Sequence, residues 1–214
     1  MKRFIPSSLL ALLVAVIVAA FGGPEAPATL DNATVADDPV AAWTVDAAHS
    51  SVGFSVRHLG IANVRGTFSS YDVDLQFDPS DLSTLATTAS IQVETIDTRN
   101  QRRDEHLRSD DFFNVEAFPA MRFESTGVQN IDGDAFEIVG NLTIKDVTRG
   151  VVLAATMNGM AEFMGNEVAA LTAETVIDRH DYGLTWNRMT EAGGVVVGSD
   201  ITITLEIEAA REQV

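Results

Sequence analysis

The chain has 214 residues, with 31 acidic side chains against 14 lysines and arginines, and no cysteine. That length allows one ordinary domain plus a short extra segment, and the lack of thiols excludes a disulfide scaffold, thiolate–zinc and iron–sulfur sites. A formal charge of −17 repels nucleic acid and anionic membrane faces at long range, and an acid excess with only Lys2 and Lys145 as lysines suits a high-salt setting, where repulsion is screened.

Lys2 and Arg3 precede an apolar run over residues 9–21. This is the pattern of a signal peptide, and the run is short for a transmembrane helix. Residues 1–23 are expected to be that signal, with cleavage as late as residue 28 after Ala26-Pro27-Ala28. An uncleaved anchor starting at Ile5 is the alternative, set second because no stop-transfer flank follows. With no cysteine present, lipid modification of the N-terminus is excluded. Residues 24–41, rich in Ala, Pro, Asp and Thr, read as a flexible linker. The folded domain is expected over 42–210, exported to the periplasm or secreted, with no stable membrane span after cleavage.

From Trp43 onward the hydropathy alternates with period two. Val52, Phe54 and Val56 share one face, and Val64, Gly66 and Phe68 share the next after a break at Leu59-Gly60-Ile61. Val73, Leu75 and Phe77 follow, stopped by Asp78-Pro79-Ser80, and one helical turn is expected at 80–85. Ala89, Ile91 and Val93 form a further apolar face.

The rhythm breaks at 101–123, where charges of both signs crowd together and three phenylalanines fall within seven residues, 112–118. A short helical segment is predicted at about 99–118, capped at Thr98 by a Thr98/Gln101 capping box, with a second start at Ser109 before Asp110 and Asp111. It ends at Pro119. Phe112, Phe113 and Phe118 are read as core.

Alternation then resumes with Met121 and Phe123, and Asp132-Gly133-Asp134 marks a hairpin. Phe136, Ile138, Gly140, Leu142 and Ile144 line a long strand; a turn at 146–150 leads to Val151, Leu153, Ala155 and Met157. Gly165-Asn166 precedes Leu171, Ala173, Thr175 and Ile177, and Gly193-Gly194 precedes Ile201, Ile203, Leu205 and Ile207. About eight antiparallel strands, each with one apolar face, must share an interior. A closed barrel does this and removes sheet edges; a two-sheet sandwich is the alternative.

No Gly-rich phosphate loop or nucleophile elbow occurs, so no catalytic residue is assigned. His49, His58, His106 and His180 lack a metal-ligand spacing, so no metal and no cofactor is expected. His49 beside Ser50 and near Asp46 reads as a turn bonding its own backbone rather than a triad. Arg102, Arg103 and Arg108 suit either an anionic head group or a solvated face paired with Asp104, Glu105, Asp110 and Asp111. Trp186 is either a core plug or a pocket wall.

The ordered set Trp43-x-x-Asp46-x-x-His49-Ser50, Phe54-x-Val56-x-His58, Gly66-x-Phe68, Arg103-Asp104-x-His106-Leu107, Pro119-x-Met121-x-Phe123, Gly140-x-Leu142-x-Ile144, Thr148-Arg149 and Arg179-x-Asp181-Tyr182-Gly183 resembles the YceI-like family of bacterial lipocalin-like, polyisoprenoid-binding proteins. The resemblance spans Trp43 to about Ala209; Asp146 departs from the glycine often found before the Val-Thr pair. It implies an all-β fold, a lipocalin-like eight-stranded antiparallel barrel with a helical segment, carrying a polyisoprenoid or other amphiphilic lipid in an apolar tunnel. Candidate tunnel residues are Phe54, Val56, Phe68, Ile91, Met121, Phe123, Ile138, Leu142 and Trp186, with Arg57, Arg65 and Arg103 as head-group candidates. The expected role is an exported carrier, not an enzyme, with a homodimer left open. The alternatives are an enzyme on a similar amphiphile with His49 or His58 as acid–base, and a broad scavenger of hydrophobic compounds in stress.

Overall fold

Alternating apolar side chains place one face of every strand on a common interior. In the computed structural model, which describes residues 40–191 and 193–212, these strands are β1 Ala41–Val45, β2 Ser51–His58, β3 Ala62–Phe68, β4 Tyr71–Asp78, β5 Asp81–Gln92, β6 Ile96–Asp97, β7 Ala120–Asp132, β8 Ala135–Ile144, β9 Val147–Phe163, β10 Asn166–Asp178 and β11 Val197–Arg211, with one helix, α1, at Gln101–Arg108. The expected signal peptide 1–23, and the linker up to residue 39, lie outside the described residues.

Antiparallel neighbours run β1-β4-β5-β7-β8-β9-β10-β11, and β1 pairs back onto β11 through Trp43↔Arg211 and Val45↔Ala209. The sheet therefore closes into an eight-stranded barrel, which sets the sandwich aside. The three strands beyond eight come from interruptions. β2 lies on β11 beside β1, with Val52↔Leu205 and Val56↔Ile201, so β1 and β2 fill one strand position broken by the 46–50 corner. β3 continues from β2, and its last two residues pair with β6 through Thr67↔Asp97 and Phe68↔Ile96. There the ladder stops, and α1 follows.

The interior is packed from these inward faces, and both ends differ. At the Ala209–Arg211 end of β11, Trp43 is 2% exposed and stacks on Phe77 with ring centroids 4.5 Å apart, its indole N–H donating to the Phe77 carbonyl at 3.2 Å. Such a pair adds about 0.5–1.5 kcal/mol beyond its burial and plugs that end. The α1 end carries the polar groups described below. Among the described residues no helix is long and apolar enough to cross a membrane.

Four local expectations need correction. Residues 80–85 are not helical. The Asp78 and Asp81 carboxylates accept the Ser80 and Ser83 amides (2.8 and 3.0 Å), so the chain reverses at once and β5 begins at Asp81. The turn expected at 146–150 is tighter, with Lys145 at φ +58 and Gly150 already paired with Asn141 in β9. The helix occupies 101–108 rather than 99–118; Ser109 ends it, its amide and hydroxyl both bonding the His106 carbonyl, instead of starting a second helix. Finally, Asn100 caps it, its side chain accepting from the Arg103 amide at 3.0 Å, while Thr98 is buried beneath.

Candidate functional site

Inside the barrel the inward faces leave a cavity of about 200 Å³, walled by aliphatic and aromatic side chains from β2–β5 and β7–β11. Phe54, Val56, Phe68, Ile91, Met121, Phe123, Ile138 and Leu142 all line it. A second, outer chamber of about 550 Å³ adjoins at the α1 end and shares Phe54, Val56, Leu107, Phe112 and Val197 with the inner one. Its remaining walls are mixed: Arg57, His58, Arg102, Arg103, His106 and Asn100 face it together with Val64, Thr98, Trp186 and Val196. The site is thus an apolar interior opening onto a basic, polar mouth.

The α1 segment sits at the boundary because its polar side chains tie it down. The buried Asp104 carboxylate accepts the Thr98 amide at 3.0 Å and the Thr98 hydroxyl. Arg103 then donates through Nε to the Thr98 hydroxyl oxygen and through Nη2 to the Thr98 carbonyl, both at 2.7 Å. Arg108 donates to the carbonyls of Glu94 (2.7 Å) and Ile96 (2.9 Å). Arg103 and Arg108 therefore strap the segment chiefly to backbone instead of pairing with its own acids. Held this way, the segment lays Phe113 edge-on against Phe68 at 6.4 Å and packs His106, Phe112 and Trp186 in mutual contact, centroids 4.8–5.2 Å apart. His106 is also bonded to Asp111 at 2.8 Å. Phe118, read as core, is only half-buried, with Lys145 Nζ 5.9 Å from its ring centroid.

The head-group candidates separate. Arg57 and Arg103 line the mouth. Arg65 does not: it is exposed on β3 between the inward-facing Val64 and Gly66, so strand alternation turns it outward, and it borders neither chamber. Trp186 walls the outer chamber rather than the inner one. His49 borders neither chamber; its Nδ1 lies 2.8 Å from the Asp46 carboxylate in an exposed turn, and the Ser50 hydroxyl bonds the Glu208 backbone.

A charged interior residue was missed. Arg179 is 2% exposed and lines the apolar cavity. Its Nε donates to the Gly198 carbonyl at 2.9 Å and its Nη1 to the carbonyls of Leu184 and Trp186, the latter at 2.9 Å. Its Nη2 has no hydrogen-bond partner. An unpaired buried donor costs about 1–3 kcal/mol, and burial pulls this guanidinium's pKa below its ordinary value, partly opposed by the nearby Asp178 charge. A signal was available: continuing Leu171, Ala173, Thr175, Ile177 by two residues points Arg179 inward.

The YceI-like domain model matches residues 43–209. A Staphylococcus aureus relative, UPF0312 protein SA2479, is 36% identical over 168 residues, 78% of this chain and 95% of its own length. The crystal structure of a Campylobacter jejuni YCEI protein is 32% identical, covering 79% of this chain and 98% of that one with a TM-score of 0.65. A polyisoprenoid binding domain from Saccharophagus degradans, implicated in plant cell wall breakdown, is similar in fold at 12% identity and a TM-score of 0.56, covering 81% of this chain and 99% of its own. With the barrel, the helical segment and the ordered motifs in place, the chain belongs to the YceI-like family.

Proposed function

We propose that this protein is an exported binding and carrier protein for a polyisoprenoid or similar amphiphilic lipid, with the chain in the barrel and the polar end at the mouth. The observation that carries this reading is the pairing of an apolar barrel interior with a basic, polar chamber at its α1 end. Burying apolar chain is favourable by about 0.8 kcal/mol per methylene, so a prenyl tail requires few specific contacts. The inner space of about 200 Å³ is below the roughly 300–1,000 Å³ of common ligand pockets, which suits a slim chain whose remainder lies in the outer chamber. The fold-level likeness to a polyisoprenoid binding domain supports the cargo class. Export rests on the sequence of residues 1–23 alone.

Binding is favoured over turnover because His49, one of the two candidate bases, stands in an exposed turn away from both chambers. Native mass spectrometry of protein purified from its own host, followed by organic extraction, tests the reading. A co-purifying prenyl lipid supports it, and a mixture of unrelated hydrophobic compounds indicates the scavenger instead. A protein that arrives empty and takes up no amphiphile in vitro overturns both.

A further inference from the structure

Two turns stand side by side on the rim of the outer chamber. One is the β2–β3 hairpin, where Leu59 at φ +54 and Gly60 at φ +73 make a tight turn, closed by the Ile61 amide on the His58 carbonyl at 3.2 Å. The other is the loop leading into β11, where Met189 and Val195 face each other across an antiparallel bridge. The Leu59 amide donates to the Val196 carbonyl at 2.9 Å and joins the two; His58 and Val196 border the chamber. The side chains projected here are apolar and unpacked. Ile61 is 82% exposed and Met189 66%, with Leu59 and Val195 nearly half exposed. A turn of this kind ordinarily takes Asn, Asp or Gly at positive φ; a leucine there puts hydrocarbon at the tip instead.

Cations without partners surround this hydrocarbon. Arg57, Arg102 and Arg188 are exposed, and among the described residues their guanidinium groups make neither a hydrogen bond nor an ion pair. Arg57 and Arg102 line the outer chamber, whose walls include no acidic side chain, and Arg188 precedes Met189. Glu191 shares the loop with Arg188 and does not pair with it. The opposite end of the barrel differs. Phe163 and Met164 are exposed at the β9–β10 turn, but the charged residues beside them are Glu162 and Glu167, and Glu167 already holds Arg211 at 3.0 Å. An exposed apolar patch with a polar border marks a surface for another body, and the sign of the border selects which.

We propose that the chamber rim docks on an anionic lipid bilayer. Leu59, Ile61, Met189 and Val195 enter the headgroup boundary, and Arg57, Arg102 and Arg188 meet the lipid phosphates. The net charge of −17 opposes contact through the rest of the surface. At about 0.15 M ionic strength that field reaches only about 8 Å, so at contact the local cations decide. Docked this way, the mouth opens onto lipid, and an amphiphile passes between bilayer and barrel without crossing water. That use rests on the carrier reading; the contact itself does not.

Vesicle flotation of the protein as its host exports it tests this. Wild type should float with vesicles of phosphatidylcholine and phosphatidylglycerol in equal parts, and about tenfold or more weakly with phosphatidylcholine alone. Arg188→Gln should weaken flotation about fivefold, and Ile61→Ser combined with Met189→Ser about tenfold or more. Uptake of geranylgeraniol in solution should stay as in wild type, since none of these three residues borders a chamber. Met164→Ser, at the other end, should change nothing. A wild type that does not float, or rim variants that float equally well, overturns the docking and leaves the carrier reading standing wherever uptake persists. Flotation without any uptake upholds the docking and overturns the carrier reading. The two tryptophans give an independent decision, because Trp43 plugs one end and Trp186 walls the chamber at the other. Brominated lipid should quench wild-type fluorescence and lose that effect in Trp186→Phe; quenching of the remaining Trp43 puts the wrong end on the bilayer and overturns the proposal. Self-association of wild type without vesicles, abolished by Ile61→Ser, assigns the rim to a second copy and also overturns it.

Discussion

Gly66 of β3 lies beneath the ring of Phe54: a Cβ placed on it would come 2.5 Å from Phe54 Cζ and 2.8 Å from Thr98 Cγ2. Gly140 stands in the same relation to Phe123. Both glycines are therefore the floors on which cavity-lining rings rest. Gly66→Ala should cost about 1–3 kcal/mol in denaturant unfolding, the usual penalty for overpacking, and should weaken uptake of an apolar chain, since Phe54 borders both chambers. Gly127→Ala, with nothing within 4 Å of the added methyl, is the control and should leave both unchanged. Equal effects at the two positions would refute the steric reading.

Arg108 joins α1 to the 3₁₀ turn Val93–Thr95 and to β6 through the carbonyls of Glu94 and Ile96. Arg108→Ala removes both bonds and exposes two carbonyls. A loss of about 1–3 kcal/mol is expected, with faster amide hydrogen exchange confined to the helical segment and its following turns. Protection in β8–β10 should be retained, because the two bonds of this strap go to the Val93–Thr95 turn and β6. Uniformly faster exchange across the barrel would mean that Arg108 supports the whole fold and not the cover alone.

What was legible in the sequence follows from the period of two. Every apolar face read from alternation, from Val52-Phe54-Val56 to Ile201-Ile203-Leu205-Ile207, turns toward the interior. A buried face tolerates no register slip, so the pattern is strongly imposed. The site was legible in its hydrocarbon part for the same reason. It was less so in its arginines, because a charged residue in a local list of acids looks like a partner for those acids. Arg103 and Arg108 instead bond backbone carbonyls supplied by Thr98, Glu94 and Ile96, a choice that depends on where the chain passes in space. The helix cap failed similarly: Thr98 fits a capping box, but its hydroxyl is taken by the buried Asp104, and Asn100 caps in its place.

The same use of arginines leaves the acids largely uncompensated. Among the described residues, Arg211–Glu167 at 3.0 Å is the single arginine–carboxylate pair; the other ion pairs involve histidines. With 31 acidic residues against 14 basic ones, repulsion between surface carboxylates opposes folding and is screened by salt. The melting temperature at neutral pH should rise between about 0.05 M and about 1 M sodium chloride as the screening length shortens from over 10 Å to about 3 Å. A melting temperature that stays level or falls would show that the acids are too far apart to matter.

The 46–50 corner gives a pH-dependent contribution whose sign can be worked out. The His49 imidazole is held above its ordinary 6.5 by its bond to Asp46, with the charges of Asp46 and Glu208 adding to it. The Asp46 carboxyl is held below its ordinary 3.8, first by the same bond and then by the Ala48 amide. The raised histidine stabilises the fold below pH 6.5 and loses that contribution as pH rises through its folded value. The lowered aspartate stabilises above pH 3.8 and loses it as pH falls through its folded value. The pair therefore acts between those limits, and both groups are solvent-exposed, so the effect is small. Proton NMR titration should place His49 above 6.5 in the wild type and nearer 6.5 in Asp46→Asn. The stability difference between the two proteins should be largest between pH 3.8 and 6.5 and shrink on either side. A difference that persists unchanged above the His49 titration would show that Asp46 acts through the Ala48 amide alone, with the imidazole a bystander.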